Sequence, residues 1–404
     1  MARTASAITV AVLALLSTFF YSRRGILSTF YWNRPGVLKD LNLFPNAGVE
    51  HEDIVRNCED VYMDDVEGFA ILSCDPGRDK WNTVMGTFID PIAPPETGLY
   101  LVNYASEDYV EPIQLKMIDF EPGPGNFHPL GIEYEPGSKI LYVVNHAASG
   151  TRIERFRLLK DVGQAKWLGS ITDPLLTTPN SIAALGPSAL LVSNDHYFTQ
   201  RNNSILATLE TYLSLPLASL VRVDVDVTRK GIPPKVTVLA YQSFANGVAL
   251  LNSTTVAVAS SSGAVVYVYN SPSGFGKGTE DMSLVETIRL PFLPDNLSVD
   301  RNGVLLISGH PHAPSLGARV KAGAACANPD ATQQECPTAP SWIAEWTAEG
   351  GLKNLFIGKD FGTSTTTVRD VERGMGIAVG LYDRGILTWS ETAPAEEPLS
   401  IGHL

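Results

Sequence analysis

From residue 58 onward, short runs of β-branched and aliphatic residues alternate with turn residues, and helical periods are scarce apart from a short one near Ile205 to Leu215. One grammar recurs: a polar opener, a β-type run, a tight turn, a second β-type run and a small or polar stop. It is clearest from Asp295 to Ser308, where Asn302-Gly303 supplies two positions that tolerate positive φ. The same form spans Leu130 to Asn145, turning at Pro136-Gly137, and returns from Asn180 to Ser193 and from Asn246 to Ala259. A fifth copy opens at Glu59-Asp60 and runs to Ser73, and a sixth is read from Gly376 to Trp389. Further runs, such as Arg152 to Leu158 and Ala264 to Tyr269, supply outer strands. Six hairpins with outer strands between them predict an all-β chain folded as a six-bladed β-propeller. A β-sandwich is the main rival, but it does not require equivalent openers at intervals of 51 (129 to 180), 66 (180 to 246) and 50 (246 to 296) residues. The pattern divides the chain into an N-terminal apolar segment over 1–30, a lead-in over 31–57, a propeller over 58–392 and a tail over 393–404.

Radial repetition has a chemical consequence, because it places the start of every innermost strand at one end of the central channel. On this reading Glu59, Asn180, Asn246, Asp295 and Asn296 face a common point from four blades. Two carboxylates and three amide oxygens form a hard donor set of the kind calcium takes, with about 6 to 8 oxygens in its shell. The bland alternative is that Asn and Asp open strands because they cap turns. Coincidence at four repeats is harder to sustain than at one.

Composition narrows the setting. With 404 residues, 44% of them hydrophobic, the chain can bury a large core, and a formal charge of −13 without a basic stripe argues against nucleic acid as a partner. Before the repeats, Arg3 precedes an apolar run from Ile8 to Tyr21 that ends at Arg23-Arg24. The run resembles a secretory signal, is short of the roughly 20 residues of a membrane span and lacks a clear cleavage site, so a removed signal peptide and a retained signal-anchor both stand. Either places the body in the secretory pathway, secreted or membrane-anchored. The cysteines fall as two close pairs, Cys58 with Cys74 and Cys326 with Cys336, which fits disulfides in an oxidising compartment; shorter C-x-x-C spacings for zinc are absent. Asn202-Asn-Ser and Asn252-Ser-Thr are candidate glycosylation sites. No nucleophile elbow, zincin helix, phosphate-binding loop or complete EF-hand loop is present.

Several of these stretches together are recognisable. Val143-Val-Asn-His146, Ser193-Asn-Asp-His-Tyr-Phe198, Phe244-Ala-Asn-Gly247, Asp295-Asn-Leu-Ser-Val-Asp300 and Gly309-His-Pro311 resemble the serum paraoxonase/arylesterase family, over about Cys58 to Trp389. The resemblance implies a six-bladed propeller that hydrolyses lactones and aryl esters with a catalytic calcium in the tunnel, often a second structural calcium, and a retained N-terminal segment that associates with membranes. It assigns the catalytic calcium to Glu59, Asn180, Asn246, Asp295 and Asn296, the set reached from repeat geometry. For the second ion it matches Asp60 to a carboxylate ligand and Ile132 to a backbone-carbonyl ligand, while the family's second aspartate falls on Ser181; loss of that charge is expected to weaken the site.

The resemblance also implies a histidine dyad above the metal, of which His146 is present and the partner falls on Leu130. His128 stands two residues earlier and is the candidate substitute, although a two-residue shift along a strand moves a side chain by roughly 6 to 7 Å. His310 and His196 are placed near the tunnel mouth, with His312 close by, and His51 and His403 in loops or tails. The expectation is therefore a calcium-dependent hydrolase of small ester or lactone substrates, with His146, His128 or Glu59 as candidate bases. Leu130 favours one rival, a calcium-stabilised propeller that acts as a binding module; a condensing enzyme like strictosidine synthase, sharing the fold without this metal set, is the other.

Overall fold

The valine-, isoleucine- and leucine-rich runs pair as antiparallel strands because their alternate residues can be buried on both faces of a sheet sandwiched between two others. The computed structural model describes residues 2–106, 111–225, 233–275, 282–328, 330–332 and 334–391, so the expected tail over 393–404, with His403, lies outside the described residues. Six sheets of four or five strands form a six-bladed β-propeller. The innermost strands are Cys58–Asp64, Pro129–Glu135, Pro179–Gly186, Ala245–Asn252, Leu293–Val299 and Ser364–Asp370, in blades 1 to 6. Each packs on the next around the ring, and that of blade 6 packs on that of blade 1. Apolar side chains fill the space between blades: Phe69 and Ile71 of blade 1 share a cluster with Ile132 and Leu141 of blade 2.

Two expectations are corrected here. The lead-in is not outside the propeller: Gly48–Glu50 pairs with Ile386–Ser390 as the outer strand of blade 6, and Leu41–Asn42 pairs with the outer strand of blade 5. The ring is thereby closed by both ends of the chain. The hairpin from Gly376 to Trp389 is one strand out of step, since the innermost strand of blade 6 is Ser364–Asp370. Its Ser364-Thr-Thr-Thr stretch carries no apolar alternation, yet all four hydroxyl residues are buried in the channel wall.

Among the described residues four α-helices lie outside the blades: α1 (Ala2–Ser22), α2 (Arg24–Trp32), α3 (Ser204–Leu213) and α4 (Ala313–Cys326). The first three agree with the apolar N-terminal run and the short helical period. Among the described residues no single helix is long and apolar enough to cross a membrane; α1 and α2, bent by 58°, pass together by length and composition only. Their junction is tied to α3 by the Arg23 guanidinium, which donates to the Leu213 carbonyl at 2.6 Å. Asn33, at the end of α2, donates to the carbonyls of Pro291 and Pro311. The fourth helix falls where the sequence shows no helical period. His312 caps it by accepting from the Ser315 N–H, and buried Arg319 pins it by donating to Asp79, whose other oxygen takes Arg56. Both expected disulfides are formed, Cys58–Cys74 across the first two strands of blade 1 and Cys326–Cys336 just past α4.

Candidate metal centre and its cavity

Every innermost strand breaks register with its neighbour close to its start. The breaks fall between Cys58 and Asp60, Pro129 and Ile132, Pro179 and Ile182, Ala245 and Val248, Pro294 and Leu297, and Ser364 and Thr366. A bulge takes a residue out of the ladder and re-aims its side chain. The residues lifted out in this way include Glu59, Asn180, Asn246, Asp295 and Asn296, the five expected to hold a metal. Close approach of the strands there depends on glycine: a Cβ on Gly131 would lie 2.1 Å from the Asn180 carbonyl, and one on Gly247 would lie 2.6 Å from the Asn296 Cα.

The structure brings these five together. Asn296 donates to Glu59 Oε1 at 3.0 Å, and Glu59, Asn180, Asn246 and Asp295 line one cavity of about 520 Å³. Asn180 donates toward Asp195 at 3.4 Å and Asn246 toward Ser261 Oγ at 3.0 Å, so these two NH₂ groups turn out of the set, while that of Asn296 is spent on Glu59. What is left inside is oxygen. Glu59 Oε2 and the Oδ1 atoms of Asn180, Asn246 and Asn296 are buried and have no hydrogen-bond partner. Orphaned acceptors of this kind are costly, and four in one place call for a donor or a cation. Burial pushes the Glu59 carboxyl well above the usual range, and the neighbouring charges of Asp60 and Asp295 push it the same way. A cation among them would remove that penalty. No three His, Cys, Asp or Glu are grouped to hold a metal among the described residues. The donors are mainly amide oxygens, which suits a hard divalent cation and not a thiophilic one.

The cavity above these oxygens is largely apolar. Leu130, Phe244, Leu293 and Leu316 line it, with Phe19, Ile26 and Phe30 from α1 and α2 over the top. His310 and His196 also line it. His310 Nε2 pairs with Asp295 Oδ2 at 2.8 Å, while its Nδ1 is buried and unpartnered. His196 lies between Asp195 Oδ1 at 2.8 Å and Thr211 Oγ1 at 2.7 Å. Burial pulls its pKa down, but the Asp195 hydrogen bond and charge outweigh that and leave it raised.

A family model described as Arylesterase matches residues 91–322, more than half of the chain. The chain belongs to the arylesterase family. It is 31% identical over 193 residues to serum paraoxonase/arylesterase 1 of Mus musculus, covering 46% of this chain and 50% of that one. To serum paraoxonase/lactonase 3 of Oryctolagus cuniculus it is 32% identical over 199 residues, covering 47% and 51%. The chain thus spans about half the length of these relatives. A solved structure provisionally named a gluconolactonase superposes with a TM-score of 0.51 at 14% identity, over 87% of this chain and 96% of that one, a likeness of fold alone.

Within this arylesterase-family chain the expected histidine bases are displaced from the centre. His128 is clamped between Asp75 Oδ2 at 2.8 Å and the Pro91 carbonyl at 2.9 Å, with Trp81 stacked on its ring. A carbonyl only accepts, so Nε2 of His128 is a donor and has no lone pair for a substrate proton. His146 donates from Nε2 to the Pro179 carbonyl at 2.7 Å and meets Thr83 Oγ1 at Nδ1, and burial lowers its pKa. It faces a neighbouring cavity and not the one above the oxygens. The two rings do not form a dyad, because each is held by other partners, and Leu130 lines the cavity and shares an apolar cluster with Ile140, Tyr142 and Ile182. The histidine that reaches both the cavity and a carboxylate of the set is His310. Asp195 and the wall helices are further parts of the site missed in the sequence; Asp195 was legible only as part of the Asn194-Asp-His196 motif.

The level one residue deeper behaves differently. Asp60 Oδ2 accepts the Ile132 N–H at 2.8 Å, and Oδ1 accepts Thr366 Oγ1 and the Val61 N–H, both at 2.8 Å. Ile132 thus presents its N–H to Asp60. Ser181, in place of an acid, accepts the Val248 N–H at 3.2 Å. Among the described residues, no buried side-chain oxygen of Asp60 or Ser181 lacks a partner. Of the expected second metal pair, the Asp60 carboxylate therefore does not stand open as the oxygens of the first set do.

Proposed function

We propose that the chain is a calcium-dependent hydrolase of aryl esters and lactones, with the reaction at the Glu59, Asn180, Asn246, Asp295 and Asn296 centre. The observation that carries the reading is the convergence of four unpartnered buried oxygens beneath an apolar cavity. When bound, calcium would polarise the substrate carbonyl and stabilise the oxyanion that forms as water attacks. Asp295 fixes the tautomer of His310 by accepting from Nε2, which leaves Nδ1 with the lone pair that takes the water proton. Leu130, Phe244, Leu293 and Leu316 hold the apolar part of the substrate and exclude bulk water. Names of relatives that include arylesterase and lactonase support this substrate class.

The two disulfides support an oxidising, secretory-pathway setting. Exposed apolar side chains on α1 and α3, among them Ile8, Leu15, Ile205 and Tyr212, support association of the cavity end with a membrane. Purified protein is expected to hydrolyse phenyl acetate and γ- or δ-lactones, to lose that turnover in chelator and to regain it with calcium. The loss of one dyad position to Leu130 supports the rival, a calcium-stabilised binding module. Calcium-loaded protein with no hydrolysis above the metal-free control would establish the rival instead.

A further inference from the structure

Around the channel, every pair of neighbouring blades is stitched by a hydrogen bond from an innermost strand or the turn behind it. Asp60 accepts the Ile132 N–H between blades 1 and 2, and Glu133 accepts the Ala184 N–H at 3.1 Å between blades 2 and 3. Ser181 accepts the Val248 N–H between blades 3 and 4, and Ser261 donates to the Pro294 carbonyl at 2.6 Å between blades 4 and 5. Ser298 donates to the Thr367 carbonyl between blades 5 and 6, and Thr366 returns to Asp60 between blades 6 and 1. The circuit closes on Asp60.

Asp60 has about four lone-pair positions, and three are already taken by donors from blades 1, 2 and 6. Beside Glu133, which already accepts the Ala184 N–H, one carboxylate with one open position and a serine hydroxyl engaged by an N–H make a poor cage for an ion that wants about 6 to 8 oxygens. The contrast with the level above is internal to the molecule: there the NH₂ groups of Asn180 and Asn246 turn to partners outside the set and four oxygens stay open, whereas here donors converge on the acid. A structural cation at this depth would do the same work as these bonds, which is to tie the first strands of the ring to its last.

We infer that the second metal site of the family has been rebuilt in this chain as a metal-free hydrogen-bonded clasp centred on Asp60, so that the protein binds one structural or catalytic calcium and not two. The inference concerns only the deeper level and stands or falls apart from the proposed hydrolysis.

The test is a calcium titration of the chelator-stripped full chain by calorimetry, with bound metal counted by elemental analysis. One tight calcium per chain is expected, unchanged in Asp60→Asn and absent in Asp295→Ala. Asp60→Asn is expected to lower the melting temperature by several degrees with or without calcium, because the clasp acts without the ion. If Asp60→Asn fails to fold, Ser181→Ala, which strands only the Val248 N–H, is expected to show the same stability loss with the stoichiometry kept. Two tight calcium ions in the parent chain, or an ion lost on Asp60→Asn or Ser181→Ala but kept in Asp295→Ala, would overturn the inference. No tight calcium at all would defeat the proposed metal centre while leaving the metal-free floor in place.

Discussion

Asp295→Ala is expected to lower ester and lactone turnover by more than ~100-fold, since even partners behind a metal's own ligands are worth about 10- to 100-fold. Asp295 contributes twice, as one of the two carboxylates of the oxygen set and as the acceptor that orients His310. Asn246→Ala in the same chain should add little once the ion is gone, because ligands of one site act as a unit. The metal-free fold should not suffer in proportion. Asp295 is one of the charges that raise Glu59, so its removal relieves repulsion while the metal is absent.

The same crowding gives the pH dependence a sign. Glu59 holds its proton in the fold to a pH above the ordinary carboxylate range, owing first to burial and then to Asp60 and Asp295. Burial likewise raises Asp60, to about 7. Between the ordinary range and these raised values the folded state binds more protons than the unfolded chain, so the stability of metal-free protein falls as pH rises through that window. At the proposed centre calcium would have to displace the proton on Glu59, so its affinity is expected to rise over the same window, with the acid limb of activity following metal loading. Turnover and calcium occupancy, measured together across that range, should therefore fall in step as the pH is lowered.

His310→Gln is expected to reduce kcat by ~10²- to 10⁴-fold, the range general-base catalysis supplies, while calcium stoichiometry stays the same. Glutamine can still donate to Asp295 but cannot take a proton. His146→Gln and His128→Gln should lower stability more than they lower kcat at saturating calcium, because both rings are spent on internal hydrogen bonds. A kcat retained in His310→Gln and lost in His146→Gln would reverse the assignment of the base.

How much of this was legible in the sequence depended on whether position in the repeat or tertiary surroundings carried the signal. The hairpins of blades 1 to 5 were legible because apolar alternation and turns such as Asn302-Gly303 encode them locally. The candidate metal residues followed from equivalence of the openers, and the structure adds the register break that aims each of them. The innermost strand of blade 6 was illegible because its Ser364 to Thr367 stretch is polar, the hydroxyls of Ser364, Thr366 and Thr367 being satisfied by neighbouring blades. The fourth helix was hidden by a composition rich in Ala and Gly, although His312 with a proline in the first turn is a start signal. The roles of the histidines could not be read from spacing at all. Whether a ring nitrogen is free depends on partners far away in the chain, such as Pro179 for His146 and Asp75 for His128.

The most direct test of the account is a crystal structure of the full chain grown with calcium, with anomalous scattering used to locate the ion. The account predicts one ion about 2.3 to 2.6 Å from Glu59 Oε2 and from the Oδ1 atoms of Asn180, Asn246 and Asn296, with Asp295 completing the carboxylate pair. The same four oxygens bonded to water or to protein donors, with no ion among them at millimolar calcium, would contradict it.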